Sequence, residues 1–258
     1  MNKRIFILFI FVILLISCAQ QYSKNNGKIY SPLSRDEPYQ NAESIKERNV
    51  TVFDLKTGDN VNIKGTFYKG KKNMSSIILL HMLNRDRHDW DGFAESLQSL
   101  GYNLISIDLR GHGESSLSWK TFSESDFSSM ILDVRVAKDF LVGNNVSNRI
   151  AIIGASIGAN IALTYAAKDD SIKTIILLSP GLDYRGVKTQ DVIKQFKNPV
   201  LIIASEGDTY SADSSRTLSS LSKNSQLKLY KGLNHGTNLL GNEDVNSVII
   251  EWLKENRE

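Results

Sequence analysis

Residues 149–162 constrain the fold of this chain more than any other stretch. They open with the β-branched run Ile150-Ala-Ile-Ile153, cross Gly154-Ala155-Ser156-Ile157-Gly158, and continue as an Ala- and Leu-rich segment through residues 163–167. A short apolar run, a glycine-flanked serine and a helix-forming stretch read as strand, sharp turn and helix. A Gly-x-Ser-x-Gly turn in that setting lifts the serine hydroxyl clear of the sheet and holds the serine at positive φ, where a residue with a Cβ is strained. Small residues at 154, 155, 158 and 159 allow strand and helix to approach closely enough for such a turn. A serine that only caps the helix is the plainer alternative.

The remaining pattern supplies the sheet around that turn. Residues 50–55 and 61–68 alternate and are separated by Thr57-Gly58-Asp59-Asn60, which predicts an opening antiparallel hairpin. Fully apolar or nearly apolar strands are predicted at 76–81, 103–108, 174–178 and 199–204, and a last short strand at 226–230. Between them, helical spacing places Trp90, Phe93, Ala94, Leu97 and Leu100 on one helix, and Phe127, Ile131, Val134, Ala137 and Leu141 on another capped by Ser123. Val245, Val248, Ile249, Trp252 and Leu253 form a third such set. Strands alternating with helices predict an α/β fold with a mostly parallel sheet covered on both faces, and chemistry at the carboxyl ends of its strands.

Polar residues just past those ends therefore matter most. Ser205-Glu206-Gly207-Asp208 follows one strand and Gly232-Leu233-Asn234-His235-Gly236 follows the last. With Ser156 they give the chain order Ser, Asp, His. A serine hydroxyl needs a base to take its proton, and the imidazole needs a carboxylate to fix its tautomer, so Ser156, His235 and Asp208 are the candidate nucleophile, base and acid. Glu206 is an alternative acid, and His81, His88 and His112 are alternative bases. His81 ends a buried strand and His112 lies in a glycine-rich loop, positions that suit structural histidines. No grouping of histidines and carboxylates has metal-ligand spacing, so no metal is expected.

Taken together, residues 50–253 resemble a compact serine hydrolase of the α/β-hydrolase superfamily. The resemblance rests on Gly154-Ala-Ser156-Ile-Gly158, Asp208 and Asn234-His235-Gly236, and is extended by His81 and by Asp108-Leu-Arg110-Gly111-His112-Gly113-Glu-Ser115. It implies the α/β-hydrolase fold, with an eight-stranded sheet, and an acyl-enzyme mechanism without cofactor. The substrate implied is a small carboxylic ester, with a thioester, an amide or a short peptide as alternatives, and a catalytically inactive binding protein as the rival from another class. The oxyanion would be bound by the amides of Ile157 and Leu83, with Met82 standing where members of the superfamily commonly have glycine.

Outside the domain the sequence reads as an address. Lys3 and Arg4 precede an apolar run over residues 5–16, shorter than the ~20 residues that span a bilayer as a helix, so residues 1–17 read as a signal peptide. Leu15-Ile16-Ser17-Cys18 resembles the bacterial lipobox, and Cys18 is the chain's one cysteine. Lipid on Cys18 would hold the protein to the cell envelope, facing the periplasm or exterior. Residues 18–45 read as the lipidated N-terminus and a polar tether, and residues 46–258 as the hydrolase domain. A formal net charge of +3 without a basic stripe argues against nucleic acid as a partner.

Two expectations concern the mouth of the site. Arg85, Arg87 and His88, in the loop 84–89, are placed to form a cationic rim, against the plainer reading of a solvated loop. Residues 180–190 are a loop too short for a folded cap, followed by a helix at 191–197, so the cleft should be open.

Overall fold

Each predicted apolar strand finds partners in one sheet. The computed structural model describes residues 49–144 and 146–256, so the leader, Cys18 and the tether lie outside the described residues. The strands are β1 (Val50–Lys56), β2 (Asn62–Tyr68), β3 (Ser76–Leu80), β4 (Asn103–Ile107), β5 (Ile150–Ala155) and β6 (Ile172–Leu178), then, beyond a small hairpin of β7 (Asp183–Tyr184) and β8 (Val187–Lys188), β9 (Val200–Ser205) and β10 (Ser225–Tyr230). Eight of them form the sheet, in the order β1-β2-β4-β3-β5-β6-β9-β10. β2 runs antiparallel to both β1 and β4, and all later pairings are parallel.

Helices cover both faces, as the alternation requires. They are α1 (Asp91–Ser99), α2 (Glu124–Ser128), α3 (Ile131–Gly143), α4 (Ile157–Ala166), α5 (Thr209–Leu221) and α6 (Glu243–Glu255). Phe127, Val134, Ala137, Ile161 and Leu218 pack with Ile78, Ile105 and Ile152 on one face. Phe93, Leu97, Val245 and Ile249 pack with Ile77, Leu79 and Ile153 on the other. Every residue of β3, β4 and β5 is buried, which explains why these runs carry no polar alternation. Each buried Ile or Leu stabilises the fold by about 1.5–3 kcal/mol relative to exposure. Trp252 Nε1 donates to Thr174 Oγ1 at 2.8 Å and ties α6 to β6.

Three local expectations are corrected. The helix after Ser123 is two helices: Ser123 caps α2 through a capping box, and bonds from Met130 to Phe127 and from Leu132 to Ser129 tighten the chain before α3. Leu100 is 42% exposed and leaves the apolar face to its four partners. Residues 191–195 form turns, not a helix. Seven residues are too few to nucleate a helix unaided, so burial of Ile193 and Phe196 and the bonds from Ile193 to Thr189 and from Gln195 to Val192 set the conformation.

Candidate active site

Ser156 stands between β5 and α4 with φ 54° and ψ −118°. This is strained backbone for a non-glycine residue, costing about 1–3 kcal/mol, and it is held by close packing behind the turn. A Cβ at Gly154 would come within 2.2 Å of the Gly158 carbonyl, and one at Gly158 within 2.5 Å of the carbonyls of Leu80 and His81. Only glycine fits at either position without moving β3 or α4. The serine itself is 6% exposed and borders a cleft of about 280 Å³.

His235 and Asp208 arrive from the next strand ends. Glu206 N donates to Tyr230 O at 2.8 Å and Gly207 N to Gly232 O at 2.9 Å, so the segments beyond β9 and β10 stay paired past the sheet. Asp208 is the N-cap of α5 but makes no side-chain cap; its Oδ2 lies 2.6 Å from His235 Nδ1 instead. That contact places the proton on Nδ1 and leaves Nε2 as an acceptor. Glu206 is exposed and makes no such contact, so the structure brings Asp208 to the imidazole. Gly236 N donates to Ser179 Oγ at 3.0 Å and Thr237 Oγ1 to Asp89 Oδ2 at 2.8 Å, which fixes the loop that carries the ring.

The two residues whose amides were named from the sequence, Leu83 and Ile157, both line the same cleft. Ile157 opens α4, where a helix leaves its first amides without intrahelical acceptors. Leu83 follows β3 and is positioned by His81, whose Nδ1 meets Met82 O at 2.8 Å while Nε2 accepts from Leu109 N at 3.0 Å. Both nitrogens of His81 are therefore committed, and burial pushes its acidity toward the neutral form.

The other candidates fall away from the cleft. His112 is buried and stacks on Trp119, and burial, then the neighbouring His81, lowers its pKa to about 4. His88 bonds to Asp91 at the surface at 2.8 Å. Arg87, expected at the mouth, is 3% exposed: its Nη1 meets Asp108 Oδ2 at 2.5 Å and its Nε donates to Thr66. Arg85 pairs with Asp89. The loop 84–89 thus spends its charge internally and makes no cationic rim. Among the described residues no group of three His, Cys, Asp or Glu is arranged to hold a metal.

Sequence reasoning missed the contribution of residues 179–188. β7 and β8 pair antiparallel around Arg185-Gly186 and bring Tyr184 and Arg185 to the cleft. Tyr184 Oη lies 2.9 Å from Ser211 Oγ and 3.3 Å from Ser179 O, and Ser211 Oγ lies 3.4 Å from His235 Nδ1. Burial and then the balance of Ser211, Asp208 and Ser156 hold the Tyr184 hydroxyl up at about 12, so it keeps its proton at neutral pH. The one signal in the sequence was the Arg-Gly pair, since two-residue strands carry no periodicity.

Comparison with known proteins agrees with this architecture. Residues 71–189 match the family model for serine aminopeptidase, S33. Protein ABHD14A of Mus musculus is 26% identical over 201 residues, covering 74% of this chain and 76% of that protein. The sn-1-specific diacylglycerol lipase ABHD11 of Danio rerio is 26% identical over 112 residues, which are 42% of this chain but only 35% of that lipase, so the match spans about a third of that relative. Among solved structures, an esterase of Pyrococcus furiosus superposes with a TM-score of 0.70 at 20% identity, over 81% of this chain and 92% of the esterase. Sheet order, crossover helices and these likenesses converge on one conclusion: the chain has the α/β-hydrolase fold and resembles the esterase- and lipase-like hydrolases built on it.

Proposed function

We propose that this chain is a serine hydrolase that cleaves small carboxylic esters through an acyl-enzyme. The observation that carries the reading is the 2.6 Å contact between His235 Nδ1 and Asp208, in a cleft that His235 shares with a serine held at positive φ. In this reading Ser156 Oγ attacks the carbonyl carbon while His235 Nε2 takes its proton. The tetrahedral oxyanion is held by the amides of Leu83 and Ile157. The proton then passes from His235 to the leaving alkoxide, and water repeats the sequence to release the acid.

The family match favours a second reading, cleavage of short peptides by a serine aminopeptidase. Such an enzyme needs a carboxylate to receive the substrate's ammonium group, whereas the charged side chain that joins His235 on this cleft wall is Arg185. The wall therefore supports the ester. A fluorophosphonate probe should label the purified protein, and Ser156→Ala should abolish both labelling and hydrolysis of p-nitrophenyl acetate to butyrate, a loss on the order of 10⁶-fold. Labelling that survives in Ser156→Ala removes the nucleophile assignment. An unlabelled wild type makes the fold a binding module, and faster release of amine than of alcohol from matched substrates selects the peptidase.

We also propose export and lipid attachment at Cys18, supported by the basic start, the apolar run and the position of the one cysteine. Palmitate should label the wild type and not Cys18→Ser; label that persists in the variant overturns this reading.

A further inference from the structure

The β7–β8 hairpin sets the Tyr184 ring against the proposed catalytic base and brings Arg185 to the wall of the same cleft. Its two-residue connection places Arg185 at φ 56° and Gly186 at φ 84°, the left-handed pair that closes a tight hairpin. Asn-Gly or Asp-Gly ordinarily fills such a turn, so an arginine there is held against its own backbone preference. Tyr184 anchors the hairpin: its hydroxyl meets Ser211 and Ser179, and its ring stands edge-on to His235 at 6.3 Å between centroids. From the far side Tyr210 Oη donates to Asp183 O at 2.9 Å, and Asp183 Oδ1 accepts from Gly186 N at 2.8 Å. The Glu124 side chain lies against Gly186. Among the described residues Arg185 takes part in no ion pair, unlike Arg85, Arg87 and Arg110.

The rest of the cleft is small and largely apolar, lined by Met82, Leu83 and Ile157 as well as by the polar groups. At about 280 Å³ it lies at the lower end of ligand clefts, which begin near about 300 Å³. Such a cleft has room for a few methylenes, and Arg185 on its wall carries a guanidinium whose planar fork matches a carboxylate. We propose that Arg185 binds a carboxylate at the end of a short acyl chain, so that the preferred substrates are half-esters of short dicarboxylic acids. The inference rests on the ester-hydrolase reading for its chemistry, but the anion site itself is a separate claim.

The test compares monoethyl succinate with ethyl isocaproate, in which an isopropyl group replaces the carboxylate, on the full chain. Wild type should show the higher kcat/KM on the half-ester. In Arg185→Gln the ratio of the two kcat/KM values should fall about twofold to fivefold, mainly through KM, and Arg185→Lys should restore part of it, as the loss of one exposed charge pair implies. An unchanged ratio in Arg185→Gln, or a wild type that prefers the neutral ester, overturns the proposal. Calorimetric binding of monoethyl succinate to Ser156→Ala, with and without Arg185→Gln, separates the two claims. Arg185-dependent binding without turnover in the wild type would sink the hydrolase reading and leave the anion site standing. Turnover of both esters, with binding and ratio indifferent to Arg185, would do the reverse.

Discussion

Two polar clusters stand at the carboxyl edge of the same sheet and use the same residue types. Past β4, Asp108 gathers Arg87, Glu114 and Ser115, with His81 and His112 beside it; past β9 and β10, Asp208 gathers His235 and Ser211. The difference is in what each leaves over. Asp108 accepts from Arg87 N at 2.7 Å, from Arg87 Nη1 and from Glu114 N, and both ring nitrogens of His81 are bonded. His235 commits one nitrogen to Asp208, and its side chain stays 35% exposed at the cleft. A carboxylate next to an imidazole becomes chemistry only when one valence remains open toward substrate. At Asp108 and His81, where both carboxylate oxygens and both ring nitrogens are taken, the same groups make a rigid corner.

The sharpest way to break this contrast is to neutralise the two clusters in parallel. Asp208→Asn should lower kcat about 10⁴-fold by losing the imidazole's orientation, with the urea midpoint of unfolding nearly unmoved. Arg87→Met should do the opposite, costing about 3–5 kcal/mol of stability by stranding the buried Asp108 charge, while the protein that remains folded keeps its kcat. Turnover and urea titrations on both variants check this; a collapse of kcat in folded Arg87→Met would show that the two clusters act as one.

A smaller effect concerns His112, whose Nε2 is buried without a partner. Its pKa is lowered from 6.5 to about 4 in the fold. Above pH 6.5 neither state carries the proton and the group adds no pH dependence. Between pH 6.5 and about 4 the unfolded chain takes a proton that the fold refuses, so stability falls as pH falls, by up to about 3 kcal/mol, and the slope ends below about 4. His112→Asn should flatten that limb in urea titrations at successive pH values. An unchanged slope would assign the acid limb to other groups.

The central strands were legible because burial on both faces writes itself as unbroken runs such as Ile150 to Ile153, and the meeting of Asp208 with His235 because parallel strands point their ends at one edge. Leu83 and Ile157 were named for their amides only through resemblance, since backbone groups leave no trace in residue type. Arg87 was misread because a charge run in a loop looks the same whether it faces water or a buried carboxylate; Asp108, 21 residues away, decides it. The Tyr184 hairpin was invisible because its strands are two residues each and its turn carries an arginine where asparagine would have given the signal. A hydrophobic pair such as Ile193 and Phe196 states that a segment is buried without stating its conformation.

Placing the base beyond β10 has a consequence for how this protein fails. β10 is the outermost strand of its side of the sheet, paired to β9 alone and only half buried along most of its length, while Ser156 follows β5 at the centre. Edge elements open with less free energy than central ones. Fraying of that strand would carry His235 away from Asp208 while the middle of the sheet stays intact, so the activity proposed for this chain should be lost to heat or mild denaturant before the central sheet melts and should return when that one strand pairs again.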